Sequence, residues 1–192
     1  MNFKDSETRK NLLKAFAGES QARNRYTYFA GAARKDGFPT IANIFEETAG
    51  HEREHAERFF KFLDSGEMLE ITASYPAGKI GTTLENLVAS ANGEHEEWSE
   101  LYPGFAKKAR EEGFEVIAKT FDNIAVAETY HDDRFSKLIE DLKSEGLFKK
   151  KDLVVWKCTN CGYHIQSVEA PMVCPACAHK REYFIETSGV LF

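Results

Sequence analysis

The chain has 192 residues, 42% of them hydrophobic and 29% charged, with only 5 prolines; this composition fits a folded protein and excludes a disordered or low-complexity one. A formal net charge of -6 excludes the basic face that nucleic acid or an anionic lipid surface would require. The opening residues Met1-Asn2-Phe3-Lys4-Asp5-Ser6-Glu7 lack the apolar core of a signal peptide, and no stretch approaches the roughly 20 apolar residues of a membrane span. The expected compartment is therefore the cytoplasm, where thiols stay reduced.

Helix signals dominate as far as about residue 145. Glycine-containing breaks at Asp36-Gly37-Phe38-Pro39, between Gly66 and Gly81, and at Glu112-Gly113-Phe114 predict four helices, near residues 6–35, 40–64, 82–111 and 115–144. The short first and third connections imply two antiparallel hairpins. The middle one, with Pro76, Gly78 and Gly81, is long enough to cross from one hairpin to the other.

The two halves repeat. Gly18-Glu19 matches Gly93-Glu94 at an offset of 75, and Asp36-Gly37-Phe38 matches Glu112-Gly113-Phe114 at 76. At the later offset Ile41, Ala42 and Phe45 fall on Ile117, Ala118 and Phe121, and Glu52 and His55 on Glu128 and His131. The repeat implies two copies of one hairpin about a pseudo-twofold axis, so any site they build should be nearly symmetric.

On the fourth helix Ile117, Phe121, Ile124, Glu128, His131, Phe135, Leu138 and Leu142 recur at steps of three and four, on one face. Glu128 and His131 interrupt that apolar stripe. Glu52 and His55 do the same among Ile41, Ile44, Phe45, Thr48, Phe59 and Phe62 on the second helix. Glu19 lies between Phe16 and Tyr26 on the first, and Glu94 among Leu87, Ala91, Trp98 and Leu101 on the third. Several buried carboxylates side by side would repel or take up protons unless a cation sat between them. Too few basic residues fall on the stripes to serve, Arg23 being the nearest. One Glu from each of two helices plus Glu-x-x-His from each of the other two is the ligand set of bundle-core dinuclear metal sites. Glu97, three residues after Glu94 and opposite Ala22 in the repeat, breaks the symmetry and is placed to serve one metal only. Tyr26 and Tyr102 are placed to hydrogen-bond ligating carboxylates or to act as ordinary core tyrosines. His51 and His95 each adjoin a proposed ligand and are expected to point away, as surface residues.

From Val154 short β-branched and aromatic runs replace the helical pattern, and Lys149-Lys150-Lys151-Asp152 marks a linker. Here Cys158-Thr159-Asn160-Cys161 and Cys174-Pro175-Ala176-Cys177 form two C-x-x-C knuckles that can offer four thiolates tetrahedrally to one metal. About 40 residues could hardly fold without such a staple. Spacing leaves zinc and iron open; iron is favoured because it can pass electrons to a redox-capable metal pair.

Together these motifs resemble the rubrerythrin family over essentially the whole chain. The resemblance rests on Glu19, Glu52-x-x-His55, Glu94-x-x-Glu97, Glu128-x-x-His131 and the run from Trp156-Lys157-Cys158 through Cys174-Pro175-Ala176-Cys177-Ala178-His179. It implies a mainly α chain: a ferritin-like four-helix bundle with a long crossover over residues 1–147, then a small β-rich, rubredoxin-like module over 153–192. The implied cofactors are two irons in the bundle and one iron on the four cysteines. The implied activity is a cytoplasmic peroxidase that reduces hydrogen peroxide to water. By the same resemblance Glu52 and Glu128 bridge the irons, Glu19 and Glu94 are terminal ligands, and His131 holds one iron. The other iron exchanges Glu97 for His55, so Glu97, His55, Tyr26 and Tyr102 form the catalytic set. A homodimer or higher homo-oligomer, head-to-tail or domain-swapped, is also implied. Electrons must come from a separate NAD(P)H-linked reductase or a rubredoxin, since the chain has no Gly-rich dinucleotide fingerprint. The rival reading is a ferroxidase or iron-handling protein of the ferritin-like class, against which the cysteine module argues; a third makes that module a zinc ribbon and the bundle site structural.

Overall fold

Helix α1 (Glu7–Lys35) starts where the Ser6 side chain accepts a hydrogen bond from Arg9 N–H, and α2 (Pro39–Phe60) starts with a proline in its first turn, where the missing N–H costs nothing. Between them Gly37 takes a φ of +88°, and Phe38 N–H returns to Ala33 O at 2.8 Å, closing α1 in the left-handed turn that glycine adopts without strain. The second hairpin repeats this turn: Gly113 has a φ of +87° and Phe114 N–H reaches Ala109 O at 2.8 Å. The computed structural model describes residues 2–63 and 66–187; the predicted end of the second helix at 64 and the last residues of the expected C-terminal module lie outside them.

The third predicted helix is not one α-helix. Helix α3 (Thr83–Glu96) opens on a capping box between Thr82 and Glu85. A π-helical turn comes next over Glu97–Leu101, where Tyr102 N–H bonds Glu97 O, and α4 (Tyr102–Glu111) completes the rod. A π turn adds one residue to the helix, so every later residue of the rod is displaced by one position. Leu101, expected on the buried stripe, is accordingly 36% exposed, and Tyr102 is fully buried in its place. Helix α5 (Glu115–Lys143) then runs unbroken.

Each hairpin caps the other. The Asp36 carboxylate, at the α1–α2 turn, accepts from Thr83 N–H at 2.8 Å and from its hydroxyl at 2.7 Å, at the start of α3. The Glu112 carboxylate, at the α4–α5 turn, accepts from Glu7 N–H at 3.1 Å, Thr8 N–H at 2.9 Å and the Thr8 hydroxyl at 2.6 Å, at the start of α1. Both carboxylates satisfy orphan amides and oppose the positive end of a helix dipole. Two apolar clusters fill the bundle. One gathers Tyr26, Phe29, Phe45, Leu87 and Phe135; the other gathers Leu12, Phe59, Tyr102, Phe121 and Ile124.

The C-terminal module is a three-stranded antiparallel sheet in the order β2-β1-β3, of β1 (Lys149–Cys158), β2 (His164–Glu169) and β3 (Phe184–Thr187). Trp156, buried on β1, packs with Ala170 and Phe184 against Cys158 and Cys174. The Lys149–Asp152 stretch, expected as a linker, belongs to β1: Lys149 pairs with Glu169 before a register shift. Lys150 explains why this charged run is ordered, since its ammonium meets both Asp141 oxygens of α5 at 2.8 Å and Glu186 of β3 at 3.4 Å.

Asp36→Ala and Glu112→Ala are each expected to destabilise the protein by about 1 to 2 kcal/mol in chemical denaturation at neutral pH. Hydrogen bonds from Thr83, side chain then backbone, hold Asp36 below its ordinary value of 3.8. At Glu112 burial opposes ionisation but the bonds from Thr8 and Glu7 outweigh it, leaving the pKa below 4.5. Both groups are depressed on folding, so their contribution is complete above these ordinary values and is lost as pH falls through the folded ones. The gap between wild type and either variant should therefore narrow in acid.

Candidate metal centres

Between the two apolar clusters lies a polar layer. Glu19 of α1, Glu52 of α2, Glu94 of α3 and Glu128 of α5 are each at most 1% exposed. Ligand atoms of Glu19, Glu52, His55 and Glu128 all lie within 4.8 Å of one another, and so do those of Glu52, Glu94, Glu128 and His131. The two sets share Glu52 and Glu128, which is the arrangement of two metals bridged by two carboxylates. Three residues of helix aim each Glu and its His at the same centre: His55 Nδ1 is 3.2 Å from Glu52 and 2.9 Å from Glu128, and His131 Nδ1 is 2.7 Å from Glu128 and 3.2 Å from Glu52. Glu97 belongs to neither close set. It opens the π turn, partly exposed, and lines a cavity beneath the crossover that includes Tyr75 and Arg25.

The donors fit cations: they are a compact set of carboxylates and imidazoles that meet mainly one another. Glu19 Oε2, Glu52 Oε1, Glu94 Oε2, both oxygens of Glu128 and His131 Nδ1 are all buried, and the contacts of Glu52, Glu94 and Glu128 with His131 Nδ1 run within the cluster itself. Burial first, and Glu52 next, push Glu19 well above the usual carboxylate range and raise Glu94 to about 8. Desolvation and then Glu94 push Glu97 up likewise. Burial also works against a charged His55 and His131, yet the surrounding carboxylates, Glu128 foremost, lift them to about 10 and about 12. At Glu52 the two histidines overcome burial and hold the carboxyl far below its ordinary value. Without metal, protons carry the positive charge this layer requires.

Tyrosines from opposite hairpins hold the outer carboxylates. The Tyr102 hydroxyl donates to Glu19 Oε1 at 2.5 Å, and the Tyr26 hydroxyl makes the matching bond to Glu94 Oε1. Each thus meets a carboxylate of the other half. His95 is exposed, with Nδ1 3.1 Å from Asp132, which also accepts from Trp98 Nε1 at 2.9 Å. His51 departs from the expectation of a surface residue. It is half-buried, and its Nδ1 lies 3.1 Å from His131 Nε2, because an i, i+1 neighbour of Glu52 faces α5 rather than water at this helix contact. Arg23, the expected nearest cation, is exposed; Arg25 is half-buried.

The four cysteines converge at the tips of two matching knuckles. Cys158 and Cys177 sulfurs are 3.7 Å apart, as are those of Cys161 and Cys174. This is the edge of a tetrahedron with metal–sulfur bonds of about 2.3 Å and far too long for a disulfide. Gly162 N–H closes the first knuckle on Cys158 O at 2.8 Å, and Ala178 N–H the second on Cys174 O at 2.9 Å. The backbone N–H of His179 draws the Cys177 thiol down to about 6, favouring the thiolate that metals bind.

Tyr102→Phe should strand a buried Glu19 oxygen and cost about 1 to 3 kcal/mol of stability in the metal-free protein, read by denaturant titration. Ala178 has a φ of +59° where the matching knuckle has Gly162 at +78°. Ala178→Gly should therefore raise stability by about 0.5 to 1 kcal/mol, seen as a higher thermal midpoint with unchanged metal content.

The sequence model of the rubrerythrin family matches residues 10–139, and that of the rubrerythrin rubredoxin-like domain matches residues 156–185. Rubrerythrin from Porphyromonas gingivalis is 55% identical over 183 residues, covering 95% of this chain and 91% of its own. Among solved structures, fully reduced, all-ferrous nigerythrin superposes with a TM-score of 0.64 at 32% identity, over 95% of this chain and 90% of that one. The bundle also matches the fold of Desulfovibrio desulfuricans bacterioferritin, at a TM-score of 0.64 and 24% identity over 73% of this chain and 82% of that one. The mainly α fold and both cofactor classes agree with the sequence reading: a ferritin-like bundle with a carboxylate and histidine diiron site, and a rubredoxin-like module with a four-cysteine site. The chain belongs to the rubrerythrin family.

Proposed function

We propose that the chain is a non-haem diiron peroxidase that reduces hydrogen peroxide to water, with electrons delivered through the four-cysteine iron. The observation that carries this reading is the pairing, in one chain, of a two-metal carboxylate layer with a tetrathiolate site. Iron storage or ferroxidase activity alone would need no electron-delivery module. Balanced, one hydrogen peroxide takes up two electrons and two protons and yields two waters. Bound iron supplies the Lewis acidity and the electron pair for that cleavage.

The chain's own residues divide the remaining work. Glu52 and Glu128, shared by both ligand sets, would hold both metals, Glu19 and Glu94 would each hold one, and His131 would hold the metal on the Glu94 side. Tyr102 and Tyr26 keep the Glu19 and Glu94 carboxylates in place through their hydroxyls, so the layer needs little reorganisation as charge changes. Glu97 and His55 would be alternative ligands to the other metal, and the Glu97 carboxylate, when not holding it, can hold a proton bound for water. The apolar clusters on either side exclude bulk water. A surface cavity of about 580 Å³ lined by His51, His55, Ala127, Tyr130 and His131 gives a molecule as small as peroxide a way to the histidine edge. No described helix is long and apolar enough to cross a membrane, and we place the protein in the cytoplasm, where the four thiols stay reduced. A separate NAD(P)H-linked reductase or a rubredoxin refills the tetrathiolate iron.

Anaerobic stopped-flow tests the reading. With the iron-loaded protein reduced, hydrogen peroxide should restore the visible absorbance of the ferric tetrathiolate quickly in wild type and not in Glu128→Ala. Failure to reoxidise in wild type would favour iron handling instead. Glu97→Ala should keep the fold and most bound metal yet lower kcat about 10- to 100-fold; wild-type turnover in that variant would end the exchange mechanism.

A further inference from the structure

His55 and His131 are symmetric in sequence and unequal in structure. His131 presents Nδ1 to the carboxylates, 2.7 Å from Glu128, 3.2 Å from Glu52 and 3.5 Å from Glu94. Its other nitrogen, Nε2, lies 3.1 Å from His51 Nδ1. The rings are within 9° of parallel and their centroids are 5.2 Å apart. That separation nearly equals the nitrogen–nitrogen distance plus the two ring radii, so the near-parallel rings approach through these two nitrogens, within hydrogen-bond distance, rather than overlapping fully face to face. An imidazole that ligates through Nδ1 carries its proton on Nε2. His131 is then the donor and His51 the acceptor.

His55 has no such support. Its close polar contacts are all made by Nδ1, to Glu128 at 2.9 Å, Glu52 at 3.2 Å and Glu19 at 3.8 Å. Among the described residues, Nε2 of His55 has no hydrogen-bond partner. At the offset of 76 that carries Glu52 onto Glu128, the counterpart of His51 is Ala127, whose methyl group accepts nothing. His55 and Ala127 line the same surface cavity, so the ring borders open space on the side where His131 meets an imidazole.

We propose that His51 is a positioning residue that holds the ring of His131, and that this one-sided support makes His131 the fixed histidine while His55 is the one free to exchange. The inference rests on the reading of both histidines as metal ligands. A hydrogen bond to the far nitrogen fixes the tautomer and orientation of a ligating histidine and strengthens its bond to the metal. His51 does this from outside the ligand set, through the ring of His131.

The test uses the full chain with zinc in the cysteine site and two variants, His51→Asn, which keeps an acceptor near the Nδ1 position, and His51→Leu, which keeps bulk without one. Cobalt(II) binding to the bundle, read by its visible bands, should weaken about 10- to 100-fold in His51→Leu and stay near wild type in His51→Asn. In the zinc-loaded, ¹⁵N-histidine-labelled protein, the His131 Nε2–H should exchange with water at least about tenfold more slowly than that of His55. That difference should survive in His51→Asn and collapse in His51→Leu. A purely structural role would lower the thermal midpoint of both variants without separating the two ring protons. If His51→Leu binds cobalt as wild type does and keeps its slow proton, the inference is overturned while the metal reading stands. If the wild-type bundle takes up no cobalt, both are overturned.

Discussion

Four glutamates with almost no exposure to water, placed in one layer of an otherwise apolar bundle, set the problem that the rest of the molecule answers. Like charges at this separation in a desolvated interior cannot all ionise without compensation. Histidines supply part of the counter-charge, and tyrosine hydroxyls satisfy the oxygens that face away from the centre. The orphaned oxygens that remain mark where divalent or trivalent cations belong. The layer is costly to the fold and useful to the chemistry for the same reason, since a group that water cannot reach responds strongly to any change of charge beside it.

Reciprocity is how the bundle keeps that layer in register. Asp36 of the first hairpin caps α3 of the second, and Glu112 of the second caps α1 of the first. Tyr26 reaches Glu94 across the same divide, and Tyr102 reaches Glu19. Each hairpin thus adds to its own caps and ligands a cap and a carboxylate partner for the other. Assembly of the halves and assembly of the site are therefore one event, and a displacement at a distant turn would be felt by the glutamates.

Much of this is legible in the chain because the governing pattern is short-ranged. Glu52-x-x-His55 and Glu128-x-x-His131 announce themselves by three-residue spacing on apolar stripes, and the cysteine knuckles by two-residue spacing. The features that spacing misses depend on facing surfaces. His51 looks like an outward neighbour of Glu52 until α5 is packed against α2, when it meets His131. Lys150 reads as part of a charged linker until Asp141 and Glu186 are brought to it. The π turn does leave a trace. The repeat offset is 75 at Glu19 and Glu94 but 76 at Tyr26 and Tyr102, so one extra residue enters between Glu94 and Tyr102, where the structure has Glu97–Leu101. An unbroken 3.6-residue period carried across that insertion puts Leu101 in the core, and the insertion is the reason it is not there.

That single added residue matters beyond local geometry. Two identical hairpins about a twofold axis would present two metal positions of equal energy, interchangeable by symmetry and alike in every response. The π turn absorbs that residue, so beyond it the helix keeps the facing of its counterpart, with Tyr102 buried as Tyr26 is, while the backbone around Glu97 departs from it. The half that carries it also carries Glu97, where its counterpart has Ala22. The degeneracy of the pair is thus lifted by a change of chain length as well as of composition, and the two halves become distinguishable partners instead of copies.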